Sequence, residues 1–577
     1  LKRWVEIDKS PRRHPRRREH RSGGNQNRQA TMDHSNALIE TDRPGAPASA
    51  ATSPLARIAS PLQKIAGNMF GLDYRSLALL RIGLALCLLW VAYANAYEMR
   101  AFYTDDGVMP RAALLDSSDF HGFSLYFVTG SEPGVAILFG VQILLNIMML
   151  VGYRTRLATV GSYLFLFSMQ NRAPILLYGA DLSLRLGLFW AVFLPLANRF
   201  SVDRLLGRIS AGPKMDLQMY LGIAGIAFIA QVGMIYTGGA LLKTGRTWQV
   251  DHTAVAYALS LEAYSRPLGQ WLAHFTALTK LLTICTLYLE LYGPILFILP
   301  VFSKWSRLAG IAAFASLQFG FGLCMTMGVF GAVMISLTLA LLPAIFWDRF
   351  AEPVGMRLAG RFRGIIDRWK SMAQIAPIAG IGCWIKLQRD KNAIASPASS
   401  RRAPVAIRFI PKIVINIVLA FLLLTMILWN IGNIPGQPWW LPPAVDTLAF
   451  TIGLNQMWDM FAPDPATNDG WIVVAGTLRN GQSVDLMSGQ SPVSFDKPPN
   501  VAGSYQSQIW MAYLGYYLSD DPPNAELFAR YLRLTWDERH TGDQRLQSIE
   551  IDAMEQNVEP DFTRTPVERE LVWQQWF

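Results

Sequence analysis

The stretch QVGMIYTGGALLKTGRTWQVDHTAVAYAL, Gln231 to Leu259, decides how this chain is read. It begins as the last third of a hydrophobic run long enough to cross a bilayer, meets one lysine at Lys243, and continues as a polar, tryptophan-bearing segment. Lys243 therefore stands where lipid gives way to water. A lysine there has two readings: an anchor whose ammonium reaches the headgroups, or a base whose proton is loosened by partial desolvation.

The surroundings of that stretch make the chain a polytopic membrane protein. Of 577 residues, 51% are hydrophobic and 16% charged, and the apolar residues come in blocks of bilayer length. The net charge of +10 is not a nucleic-acid footprint, because ten Lys/Arg against three Asp/Glu fall within Leu1 to Thr31 and the remainder carries only +3. Residues 1–70 are too polar and basic to bury a core and are expected to be disordered. Residues 1–31 read either as frame upstream of Met32 or as a cytosolic basic arm near anionic lipid. No short apolar core follows to make them a cleavable signal.

Along the chain the expected spans are Ser76–Tyr97, Gly134–Gly152, Leu157–Met169, Leu176–Leu196, Met215–Leu242, Leu281–Phe302, Leu308–Thr326 and Val329–Trp347. Arg81, inside the first, reads as a snorkelling arginine. Residues 244–274 alternate apolar and polar side chains and are expected to form an interfacial helix across the top of the bundle. Residues 348–412, with thirteen Lys/Arg against four Asp/Glu, form a basic connector, and a further helix is expected over 413–430. Beyond it, residues 436–577 hold 19 Asp/Glu and 8 Lys/Arg, an acidic domain in which GWIVVAGTL and RYLRLTW read as strands. The fold class is thus an all-α polytopic membrane bundle of about nine transmembrane helices, followed by a small outward-facing soluble α+β or mostly-β domain.

Charge orients it. With the N-terminus cytoplasmic, every strongly basic loop falls inside, while Lys243 and the acidic C-terminal domain fall outside. Cys87, Cys285 and Cys324 lie in spans and Cys383 in the connector, so no disulfide framework is expected. No metal-ligand spacing, phosphate loop or nucleophile elbow occurs, which disfavours metal hydrolases, nucleotide-driven pumps and thiol chemistry.

Intramembrane polar residues remain. Asp181 and Arg185, four apart on one helix face, read either as a structural ion pair or as the wall of a polar pocket. Glu290 and Gln318 lie in two further spans and must each find a partner.

Taken in order, LLRIGLALCLLW (79–90), FYTDDGVMPR (102–111), NRAPILLYGADLSLRLGLFWAVFLPL (171–196), YTGGALLKTGRTWQ (236–249) and QMWDMFAPDP (456–465) resemble a known family. It comprises the bacterial relatives of vitamin K-dependent gamma-carboxylase that carry the horizontally transferred transmembrane domain. The likeness spans about Ser76 to Trp347, with Met457 to Pro463 opening the outward domain. It implies a bacterial inner-membrane enzyme that uses reduced vitamin K or menaquinol as cofactor. Lys243 would be the base that deprotonates the quinol, and Tyr236, Trp248, Asp181 and Arg185 would line or support the pocket. The family carries histidines in the segments matching NRAPILLYG and SLQFGFGLCMTMGVF, where this chain has no histidine and has Gln318 in the second; His252 is the nearest imidazole to Lys243. Two further readings of the residues stand beside this one. In one, the bundle is a non-catalytic anchor whose acidic domain binds an envelope protein; in the other, Asp181, Arg185 and Glu290 line a transport path.

Overall fold

The computed structural model describes residues 64–116, 122–209, 219–354, 357, 411–437, 441–518 and 524–577. The expectations for the first 63 residues, the start of the fifth span at 215–218 and nearly all of the connector lie outside them. The described residues make one compact unit.

Among the described residues, nine helices build the bundle: α1 (Tyr74–Tyr97), α2 (Glu132–Val151), α3 (Thr155–Arg172), α4 (Gly179–Ala191), α5 (Ile223–Leu242), α6 (Thr276–Tyr292), α7 (Ser303–Cys324), α8 (Phe330–Leu339) and α9 (Lys412–Gly432). Shorter helices are named by their residues. α1 packs on α2 and α8, α4 on α8 and α5, and α5 on α6 and α9. Asp73 caps α1 by accepting from Arg75 N at 2.7 Å. The Arg75 guanidinium then reaches Asp348 at 2.7 Å and Glu352 at 2.8 Å, tying the start of the bundle to the chain beyond α8.

Among the described residues, six helices are long and apolar enough to cross a membrane, α1, α2, α5, α7, α9 and Thr276–Ile298, and seven if the bent pair Phe330–Leu339 and Ala344–Val354 counts as one span. Nine were expected, and the shortfall has physical causes. α3 is 18 residues long, but buries Thr155, Thr159, Ser162, Ser168, Gln170 and Arg172, so it is too polar to read as a lipid-facing span. α4 has 13 residues, roughly 20 Å at 1.5 Å per residue, short of a hydrocarbon core of about 30 Å. The expected straight span 329–347 turns by 97° at a break that contains Pro343, where the ring cannot continue a helix. Arg81 does not snorkel. It is fully buried, with its guanidinium donating to the carbonyls of Leu196 (3.4 Å) and Phe200 (2.6 Å).

Residues 244–274 are three short helices, Arg246–Gln249, Ala254–Ser260 and Pro267–Ala273, in place of one interfacial helix. The C-terminal domain is α+β. A four-stranded antiparallel sheet in the order β2-β1-β3-β4 is made by β1 (Asn468–Leu478), β2 (Ser483–Asp485), β3 (Leu546–Asn557) and β4 (Glu568–Trp576). β1 and β3 pair from Asn468↔Asn557 to Ala475↔Glu550 and beyond, so GWIVVAGTL is the strand it resembles. RYLRLTW is not a strand; it lies in helix α10 (Ala525–Asp537). Its alternation is outweighed by Ala525, Phe528, Ala529 and Leu532, buried at helical spacing, and by Asn524, which caps Glu526 N and Leu527 N.

The domain is docked on the bundle. Arg564 pairs with Asp469 at 2.6 Å and with Glu262 at 3.1 Å, and donates to Ser260 O at 2.6 Å. Trp510 donates to Glu98 at 3.0 Å, and Arg100 pairs with Glu538 at 2.5 Å.

Candidate functional site

Lys243 closes α5 as its C-cap residue. Gln249 holds its carbonyl by donating at 2.6 Å, which fixes the chain as it turns out of the helix. From there the side chain runs inward, not up to the headgroups. Its Nζ lies 2.6 Å from Oε2 of Glu290 on α6, with the two side chains only 7% and 11% exposed. The same ammonium sits 5.2 Å from the centre of the Trp248 ring, within cation–π range. The anchor reading of Lys243 fails on this geometry, because an anchor's charge is in water and this one is paired with a buried carboxylate. Glu290, singled out as an acid needing a partner, has found it in Lys243.

The pair faces a cavity of about 860 Å³ between α5, α6, α7 and residues 244–274. Its walls are mainly apolar, among them Ile235, Leu282, Leu289, Leu317, Phe321 and Phe330. Polar groups are few: Lys243, Glu290, Tyr236 and Gln318 among them, with Arg185 and Gln170 also on the wall. Tyr236 stacks on Phe314 with ring centres 4.0 Å apart, and its hydroxyl accepts from Gln318 Nε2 at 3.3 Å. Gln318 Oε1 is buried and has no partner among the described residues. A large apolar volume with a small set of convergent polar groups is the general form of a small-molecule site.

One wall comes from the chain after α9. Met457, Trp458, Asp459, Met460 and Phe461 all line the cavity. Their backbone is held from both sides. Trp429 and Asn433 donate to Gln456 O at 2.7 and 2.8 Å, Trp248 Nε1 donates to Phe461 O at 2.8 Å, and Gly245 N donates to Pro463 O at 3.0 Å. Asp464 accepts from Thr247 N at 2.9 Å and from its hydroxyl at 2.5 Å. The glycine pair of YTGGALLK makes room for this loop, since a Cβ on Gly238 would lie 3.0 Å from Trp458 Cδ1.

Tyr236, Trp248, Arg185 and Gln318 therefore meet Lys243 around one space. Asp181 and His252 do not. Asp181 caps α4 by accepting from Tyr178 N at 3.3 Å and lines a separate cavity of about 280 Å³. Arg185, which shares its helix face, donates to Gln170 at 3.2 Å and to Asn455 O at 2.9 Å, so the expected ion pair is replaced by a cap and a loop clamp. His252 is outside the cavity lining, its Nδ1 2.9 Å from Trp248 O, in a left-handed turn with φ of 54°. It supplies no imidazole to the Lys243 cavity. The sequence reading missed the loop from Asn455 to Asp464 as a wall of the site. The available signal was a cluster of Trp458, Met460 and Phe461 at the head of an otherwise acidic domain.

No family model, no curated protein and no solved structure matches this chain.

Proposed function

We propose, following what the resemblance of the ordered motifs implies, that this protein is a quinol-using membrane oxygenase, with Lys243 as its base and the cavity between α5, α6 and α7 as its quinol site. The observation that carries the proposal is the buried Lys243–Glu290 pair, 2.6 Å apart, on the wall of an apolar cavity large enough for a prenylated ring. The fit is chemical as well as steric. The lining is apolar along most of its length, and the unpartnered Gln318 Oε1 is an acceptor for a hydroxyl.

When bound, a quinol would supply the electrons: with one dioxygen it gives the quinone 2,3-epoxide and one water, a four-electron reduction of oxygen. The residues handle protons and position. For Lys243 to take a proton from a hydroxyl, its ammonium proton must first pass on, and Glu290 is the acceptor at hydrogen-bond distance. Trp248 covers the amine with its ring and keeps that face free of water, while its own N–H is engaged by Phe461 O. Tyr236 and Gln318 form a hydrogen-bonded pair that orients a polar head. The exposed residues Tyr178, Met457 and Asp459 line the cavity on one side, and a water-borne co-substrate would enter there.

The test is menaquinol oxidation under oxygen by the purified full-length protein, followed by the loss of quinol absorbance. Wild type should oxidise quinol, whereas Lys243→Ala and Glu290→Gln should not while eluting as folded protein. Wild-type rates in Lys243→Ala would sink the proposal. Absence of oxidation in all three would return the bundle to the role of an anchor for its acidic domain.

A further inference from the structure

Two features of the cavity are not accounted for by the base at Lys243. The first is an opening on the side of the bundle. Cys285 on α6 and Ser316 on α7 both line the cavity and are both exposed, so the wall between these helices is open to the outside. The surface around the opening is apolar, with Leu281, Tyr288 and Phe319 exposed, as befits helices long and apolar enough to lie in a bilayer. At Gly320, which lines the same space, an added Cβ would meet nothing within 4 Å. Glycine in mid-helix costs stability relative to alanine, so its presence here keeps volume free.

The second feature is Gln318. The residue is 2% exposed, its Nε2 donates to Tyr236 Oη at 3.3 Å, and its Oε1 has no partner among the described residues. A buried carbonyl oxygen without a donor is unfavourable, and a ligand that brings a donor relieves it. Gln318 and Gly320 both line this space but lie two residues apart on α7, on different faces of the helix, so the buried acceptor lies inward and the half-buried glycine toward the opening.

We infer that the cavity is loaded sideways from the lipid, between α6 and α7, by an amphiphile with an apolar chain and a hydroxyl-bearing head, and that Gln318 Oε1 accepts the hydrogen bond from that hydroxyl. The chain lies along the opening past Gly320, and the head lies inward toward Tyr236 and Lys243. This deepens the quinol reading and rests on it for the nature of the head, but it concerns loading and recognition, which are measurable without turnover.

The probe is menaquinol with four isoprene units and a diazirine at the chain end, kept reduced under argon in nanodiscs that hold the full-length protein. After illumination, adducts are mapped by peptide mass spectrometry. They should fall on α6 and α7 within 281–289 and 313–321. Unlabelled menaquinol should compete about tenfold better than its dimethyl ether, which has no hydroxyl to donate. Gln318→Met should erase that preference while keeping the adducts. Gly320→Leu should reduce labelling by about tenfold, Gly320→Val should act in the same direction, and Gly320→Ala, which favours the helix, should label as wild type. Equal competition by quinol and ether in wild type, adducts on other helices, or full labelling of both Gly320→Leu and Gly320→Val would overturn the inference. Labelling as described in a protein that oxidises no quinol would refute the oxygenase reading and leave this one standing.

Discussion

Removing both partners of the Lys243–Glu290 pair should destabilise the protein far less than the sum of the two single removals. Lys243→Met leaves a carboxylate facing an apolar cavity, and Glu290→Gln leaves an ammonium whose remaining cationic contact is the Trp248 ring at 5.2 Å. Breaking a buried pair by one partner costs roughly 3–5 kcal/mol. Here the side chains keep 7% and 11% exposure and border a cavity of about 860 Å³ that water can enter, so the lower end of that range applies, about 3 kcal/mol for each single change. The double change removes both charges and leaves nothing uncompensated, so the two costs should not add, with a coupling of about 2–3 kcal/mol. The assay is a four-protein cycle of reversible unfolding in mixed micelles, followed by circular dichroism. Repeating it at about 1 M salt should leave the coupling in place, since a buried pair is screened little. Additive single effects, or a coupling under about 0.5 kcal/mol, would refute the buried pair and with it the site built around it.

Three further outcomes test other parts of the account. Gly238→Val should force Trp458 and its loop off α5, at a cost of about 1–3 kcal/mol, and protease should then cut within 455–464, where wild type resists. Asn524→Ala should cost about 1 kcal/mol by uncapping α10, measured as a lower unfolding midpoint; no change would favour the strand that RYLRLTW resembles. Side-chain hydrogen bonds from Arg111 hold the Asp105 carboxyl below its ordinary 3.8, partial burial working against them. Because the folded value is the lower one, this support is present above pH 3.8 and is lost as pH falls through the folded value, so Asp105→Asn should flatten that part of the acid stability profile.

The residues carried the bundle and half of its site. Apolar blocks of bilayer length announce α1, α2, α5, α7 and α9, since nothing else in water-soluble chains needs them. They mislead at α3 and α4. There the helices are shielded by protein, so length and polarity report burial within the bundle, not contact with lipid. Lys243 was legible because it stood alone at the end of a span, and Glu290 because an acid in a span must be answered; their meeting depends on α5 packing against α6, which no local pattern encodes. Asp181 and Arg185 share a face as their spacing requires, yet each is drawn to backbone: Asp181 to its own helix start, Arg185 to Asn455. The loop at Met457 to Phe461 was read as the threshold of a separate domain, because sequence distance hides a return into the bundle. RYLRLTW failed for another reason. Seven residues of alternation fit both periods, and only the cap at Asn524 and the small buried Ala525 and Ala529 decide.

The most direct measurement of the central claim is the fate of oxygen. Purified wild-type protein and Lys243→Ala are given menaquinol under labelled dioxygen (18O), and the products are weighed by mass spectrometry. A working base at Lys243 predicts quinone epoxide with one labelled oxygen and one labelled water from wild type, and a yield lower by about 10²–10⁴-fold in the variant. Unlabelled quinone with hydrogen peroxide from both proteins would contradict it.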